Sequence, residues 1–163
     1  MEDQELEKES FTALVVQHQA ALYRTARSIL HSDQDAADAV QEAICLAYAS
    51  RSRLRDLQKW KAWMLRILVN VCYSALRKRH DTASLDEVEV YLAAPETDHS
   101  ERLSLWDAVC TLPEQMRIVV TLFYYEDLTV RQISQILKIS QGAVRTRLSR
   151  ARDQLRQMLE EEE

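Results

Sequence analysis

A single glycine, Gly142, stands in a chain of 163 residues, with only two prolines beside it. Average usage is roughly 7% glycine and 5% proline. Sandwiches, barrels and doubly wound sheets need many tight turns, and most of those turns need a residue at positive φ or a fixed φ. One glycine cannot furnish them, so the chain is expected to be all-α. The same scarcity excludes the glycine-rich phosphate cradles, since neither GxGxxG nor GxxxxGK can be built. With 47% hydrophobic residues, the length suits one domain or two small ones with a real core, and is too short for a large catalytic fold. No run of about 20 apolar residues is present to span a membrane. The opening MEDQELEKES is charged throughout and does not read as a signal peptide. A cytoplasmic protein with no direct membrane insertion is expected.

The formal charge of −5 argues at first against a nucleic-acid partner, but its distribution reverses that. Residues 51–80 carry +8 and residues 128–158 carry +6, while 1–50, 81–101 and the terminal Glu160–Glu163 run carry −6, −7 and −4. Basic blocks alternate with acidic ones, and a general acidic solubility bias does not sort charge this way.

Apolar periodicity divides the chain. Phe11, Leu14, Val15, Leu22, Ala26 and Ile29 predict a first helix with one buried face. Ser32 or Asp33 is placed to cap a second, striped by Ala37, Val40, Ile44, Ala47 and Tyr48. A third begins near Gln58, with Trp60, Trp63, Met64, Ile67, Leu68, Val71, Ala75 and Leu76 on its buried side. Residues 1–80 thus read as a three-helix unit. The acidic stretch 81–100, with Pro95 and scattered Leu85, Val88 and Leu92, reads as a linker with room for one short helical turn. Periodicity resumes in 101–163 with Leu103, Trp106, Val109 and Cys110. Pro113 then opens a helix through Met116, Val119, Val120 and Phe123. Thr129 and Gln132 form a capping box, stapled by Leu128 and Ile133. After the turn Lys138-Ile139-Ser140, Ser140 caps a last helix cored by Val144, Leu148, Ala151 and Leu155. The expected architecture is two small helical domains joined by an acidic linker, the second a helix-turn-helix.

On that last helix Arg145, Arg147, Arg150 and Arg152 avoid the core stripe. In helix-turn-helix geometry its N-terminal residues, Gln141 first, enter the major groove. Arginine there can bond bidentately to guanine, while others hold phosphates. An arginine-rich helix face is often merely solvated; the capping box, short turn and one-sided arginines together favour the DNA reading. On the third helix Arg66, Asn70, Tyr73 and Arg77 form one polar stripe, opened by Lys59 and Lys61 and closed by Arg77-Lys78-Arg79. Cations interleaved with an aromatic and an amide suit a surface that tracks a backbone and stacks bases, although cations at a helix C-terminus also complement its dipole. The acidic face Asp35, Asp38 and Glu42 gains the isolated helix nothing, because Asp38 and Glu42 repel at i, i+4; taken alone it reads as ordinary surface. Cys45, Cys72 and Cys110 show no CxxC pairing and the four histidines are scattered, so no zinc site, other metal or cofactor is expected. No nucleophile–base arrangement points to an enzyme or a small-molecule substrate.

Three motifs in order, DAADAVQEAICLAY, WKAWMLRILVNVCYSALRKR and LPEQMRIVVTLFYYEDLTVRQISQILKISQGAVRTRLSRARDQL, resemble the extracytoplasmic-function (ECF) sigma factors of bacterial RNA polymerase over about residues 10–158. The resemblance implies that Asp35, Asp38, Gln41 and Glu42 dock on core polymerase. It implies that Trp60, Trp63, Arg66 and Asn70 lie on the helix that melts and reads the −10 element, and that the loop Leu54 to Lys59 captures a flipped base. It further implies that Arg145, Thr146, Arg147, Ser149 and Arg150 read the −35 duplex, and that an anti-sigma factor is a partner. Ser74 stands where the family often has aspartate, Ala143 where threonine is usual, Trp60 for a common phenylalanine and Tyr48 for a common tryptophan. The loop Arg55-Asp56-Leu57-Gln58 lacks the family's frequent glycine or serine, which leaves its base preference open. The competing reading is a dimeric helix-turn-helix repressor or activator without polymerase binding. It needs neither the acidic face nor the Arg66/Asn70/Tyr73/Arg77 stripe.

Overall fold

A computed structural model describes residues 7–82 and 104–161. Among them there is no strand, and the elements are α1 (Lys8–Gln17), α2 (Gln19–Ile29), α3 (Asp33–Ala49), α4 (Trp60–Thr82), α5 (Leu105–Thr111), α6 (Glu114–Val120), α7 (Val130–Leu137) and α8 (Gln141–Glu160). Short 3₁₀ turns, Arg51–Arg53 and Leu57–Lys59, lead from α3 into α4. The fold is all-α, as the glycine count predicts. Apart from its first two residues, the acidic stretch 81–100 with Leu85, Val88, Leu92 and Pro95 lies outside the described residues.

The single helix expected from Phe11 to Ile29 is two. His18, at φ −105° and ψ 10°, interrupts it, its Nδ1 lying 2.9 Å from the Leu14 carbonyl oxygen and its ring 5.0 Å from that of Trp60. The apolar spacing runs through the break because both segments keep the same side inward, so periodicity alone does not reveal it. The first unit is therefore four helices: α2, α3 and α4 pack on one another, and α1 lies against α2. Ser32 caps α3 by accepting from the Asp35 amide.

In the second unit the caps fall where the sequence places them. Thr129 and Gln132 complete the capping box on α7, and Ser140 accepts from the Ala143 amide at the start of α8. Val144, Leu148, Ala151 and Leu155 are all buried. The turn between α7 and α8 puts Lys138 at φ 58°, in the left-handed region that glycine usually occupies. The one glycine, Gly142, lies instead in the first turn of α8 with nothing closer to a Cβ than the Ser140 hydroxyl at 3.8 Å. The turn geometry is thus held by its surroundings: Ser134 donates to the Ile139 carbonyl, and the Ile139 amide donates back to the Ser134 carbonyl.

Between α6 and α7 the chain makes a π-helical turn, Thr121–Tyr125, that ends at Glu126. The two units are in contact: α2 packs against α6 and against this turn, and α4 against α7. Buried Thr25 and Ser28 on α2 are small enough to allow that approach.

Candidate nucleic-acid and polymerase interface

The recognition-helix candidates all lie on α8, the second helix of the helix-turn-helix. Gln141, Arg145, Thr146, Ser149 and Arg150 are exposed on one side of α8 and Arg147 is half-buried. Arg145 is steadied by its neighbour one turn back, Nη2 donating to Gln141 Oε1 at 3.4 Å. Thr146 donates its hydroxyl to the Gly142 carbonyl. Arg152 is turned aside and donates to the Tyr124 hydroxyl.

On α4 the expected stripe is partly realised. Arg66, Asn70, Arg77, Lys78 and Arg79 are exposed, as is Lys59 just before the helix. Arg79 forms a 2.6 Å ion pair with Asp35, and Arg77 donates to Ser74. Trp63 is half-buried against the core. Tyr73 is also half-buried; burial first, and then the charge of Glu114, push its hydroxyl up to about 12, while Arg147 pulls it the other way. Residues expected on two different DNA surfaces, Tyr73 and Arg147, are thus within electrostatic reach of each other across the contact between units.

Trp60 requires a correction. It is 1% exposed and makes edge contacts with Phe11, ring centroids 6.3 Å apart, so it is a core residue and offers DNA no face. The indole opens α4 with its ring against those of Phe11 and His18, which is why it faces inward. Lys61, the next residue, is also less free than expected: Nζ lies 3.4 Å from Glu126 Oε2 of the second unit.

The acidic residues Asp38, Gln41 and Glu42 are exposed along α3 and Asp35 is half-buried. Together with Leu30, Ala39, Val71, Ala75 and Arg79, the three carboxylates line a recess of about 200 Å³. A larger groove of about 540 Å³ lies between α3 and α4, lined by Glu42, Leu46, Arg53, Ile67, Asn70 and Ser74 among others. Cys72 is buried, and desolvation pushes its thiol up to about 12. It is a packing residue, whereas Cys45 and Cys110 are exposed.

Composition and periodicity do not single out the charges that join the two units. Arg117 is 4% exposed. Its guanidinium donates to the carbonyls of Ser28 in α2 and of Cys110 and Leu112 in its own unit. It also lies 3.3 Å from His31 Nε2. Glu126 is buried and accepts from Arg24 Nε at 2.8 Å. For Arg117 the signal is the segment LPEQMR, part of the family resemblance, which ends on it; for Glu126 the only signal is its place at the end of the apolar run TLFYY.

A family model described as sigma-70 region 2 matches residues 14–82, and one described as sigma-70 region 4 matches residues 102–155. The chain is 29% identical to the RNA polymerase sigma factor SigV of Bacillus subtilis, covering 100% of this chain and 99% of that one. It is 31% identical to the ECF RNA polymerase sigma factor SigM of Mycobacterium tuberculosis, covering 92% of this chain and 77% of SigM. Its fold matches the sigma factor RpoE of Bartonella quintana, solved in complex with the anti-sigma factor NepR. That match has a TM-score of 0.76 and 23% identity, over 93% of this chain and 98% of RpoE. It also matches CnrH, solved in complex with the cytosolic domain of CnrY, at a TM-score of 0.64 and 22% identity, over 96% of this chain and 92% of CnrH.

Proposed function

The chain belongs to the sigma-70 family as an ECF sigma factor, a promoter-recognising initiation factor, and from that premise we propose how its residues divide the work. Residues 1–80 join core polymerase and handle the −10 element, 81–100 connect, and 101–163 hold the −35 element. On α3, Asp38, Gln41 and Glu42 present a carboxylate-rich face to the polymerase, with Asp35 fixed beside them by Arg79. A basic partner explains why like charges are kept at i, i+4, where they cost the helix a few tenths of a kcal/mol.

For the −10 element, Arg66, Asn70, Arg77 and Lys78 give the strand a cationic, amide-bearing track. The loop Leu54 to Lys59, with Leu57 exposed at its centre, captures an unstacked base, which offsets unstacking by contacts in the loop. For the −35 element, α8 lies in the major groove with Gln141 and Arg145 leading. The protein acts by binding in the cytoplasm, and the phosphodiester chemistry belongs to the polymerase. An anti-sigma factor is the expected partner, as in the structure of the fold neighbour RpoE, which contains one.

One observation carries this reading. A single chain holds a helix-turn-helix arginine face and a second basic, amide-bearing helix on separate units, beside an acidic face. A duplex-binding repressor uses only the first. Run-off transcription with purified core polymerase, with and without the chain, tests it. Promoter-specific transcripts should depend on the chain; binding to palindromic duplex as a dimer, with no transcript, would favour the repressor. On promoters recovered this way, Arg145→Ala should weaken recognition by about 1–3 kcal/mol and relax preference at one −35 position. An equal fall on matched and mutated −35 sequences would make Arg145 a phosphate contact only.

A further inference from the structure

We propose that the turn between α7 and α8 is a seat for the phosphate backbone of the −35 duplex. Lys138 is the cation that pairs with it, and Gly142 is the gap that lets it come close. The seat depends on the −35 role proposed for α8 and adds two residues to that role.

Lys138 and Gly142 each stand where the other's residue type is expected. Lys138 has φ 58° and ψ 44°, the left-handed region, where a Cβ crowds its own backbone and glycine has none to crowd. Gly142 lies in the first turn of α8, where glycine forfeits helix propensity that any other residue except proline would supply. Neither choice has a reason inside the protein. A Cβ at Gly142 would meet only the Ser140 hydroxyl, at 3.8 Å, an ordinary contact. The Lys138 side chain is exposed and has no hydrogen bond or ion pair among the described residues. Asp127 is the other non-glycine residue at positive φ, but aspartate reaches that region readily through its own short polar side chain, and lysine does not.

Strained positions persist where the surroundings over-determine them, and they gather at binding sites. The surroundings here are Ser134 and Ile139. The Ser134 hydroxyl donates to the Ile139 carbonyl, and the Ile139 amide donates to the Ser134 carbonyl, so the turn is held whichever residue occupies position 138. Lysine then adds a positive charge just ahead of α8, and glycine removes bulk four residues later. Both lie at the end of α8 that leads into the major groove, whose walls are phosphates. A cation on this turn meets the backbone while Gln141 and Arg145 face the base edges. Such a contact fixes register and carries no sequence information of its own.

The test uses holoenzyme assembled from the full chain and a duplex that carries the −35 element and stops short of −10. Binding is followed by fluorescence anisotropy across a salt series. Each phosphate neutralised on duplex DNA contributes about −0.9 to the slope of log K against log salt. Lys138→Gly, which suits φ 58°, should make the slope shallower by about 0.9 and weaken matched and mutated −35 sequences equally. Lys138→Arg keeps the charge and should keep the wild-type slope. Gly142→Ala should unfold at no lower urea concentration than the wild type, yet bind the duplex about tenfold more weakly. A wild-type slope in Lys138→Gly, or wild-type affinity in Gly142→Ala, overturns the seat alone. A wild-type holoenzyme indifferent to the −35 sequence overturns the −35 role of α8 and the seat with it.

Discussion

Arg117→Ala should lower the unfolding free energy by about 3–4 kcal/mol, measured by urea denaturation. Each hydrogen bond from a charged donor contributes about 1.5–3 kcal/mol, and a buried acceptor left alone costs about 1–3. Arg117 serves three carbonyls, those of Ser28, Cys110 and Leu112, and truncation strands all three. Recovering the desolvation cost of the guanidinium offsets part of that loss, which is why the sum of the bonds overstates it. Arg117→Lys should not rescue the protein, because one ammonium cannot reach acceptors set around a planar fork. A loss under about 1 kcal/mol would mean that the carbonyls find other donors and that the residue is dispensable to the contact.

The same cluster makes the closed contact sensitive to acid. Arg117 Nη2 lies 3.3 Å from His31 Nε2; the guanidinium can only donate, so the ring accepts there and is neutral. Burial first, then the charges of Arg117 and Arg27, hold the His31 pKa below its ordinary value of 6.5. The open chain therefore binds this proton more readily than the closed one. The contribution of His31 is complete above about pH 6.5 and is lost as the pH falls through that value toward the lowered one. The urea midpoint should fall between pH 7 and 5.5, and His31→Ala should flatten that fall. A wild-type midpoint constant across this window would show that the ring does not titrate against Arg117.

What the sequence makes legible and what it hides follow from the range of the forces involved. The Thr129–Gln132 box and the Ser140 cap are local, settled within four residues, and the structure reproduces them, whereas the break at His18 leaves the apolar spacing intact and does not show in it. The α8 stripe of Val144, Leu148, Ala151 and Leu155 likewise needs only a 3.6-residue period. Burial of Arg117 and Glu126 is decided by Ser28 and Arg24, roughly 90 and 100 positions away. No window along the chain contains both partners. Without the partner, a charge in an amphipathic segment reads as a solvent-facing residue. Trp60 misleads for a related reason. It fits the apolar side of α4 by period and the −10 helix by resemblance, and only the arrival of Phe11 and His18 over it decides between them.

Trp60→Ala should therefore act as a core truncation and not as the loss of a DNA contact, costing about 3–5 kcal/mol of stability. The ring is 1% exposed, packs on Phe11 and His18, and opens a helix whose next buried positions, Met64, Leu65 and Leu68, all lie in the same core. Emptying that site removes the lid of the first unit, and promoter melting should fail because the unit unfolds. Trp60→Phe separates the two roles. Its indole N–H finds no acceptor among the described residues, so phenylalanine gives up volume but no hydrogen bond. The smaller ring leaves a cavity, so the exchange should cost about 1–2 kcal/mol, well under the alanine truncation. Phenylalanine is also the residue that the family commonly carries here, so open-complex formation should persist, read as permanganate reactivity of −10 thymines in the holoenzyme. If Trp60→Ala kept wild-type stability and lost only that reactivity, the ring would be a base-stacking residue exposed on opening. The core placement predicts the reverse order of effects: stability first, melting only as its consequence.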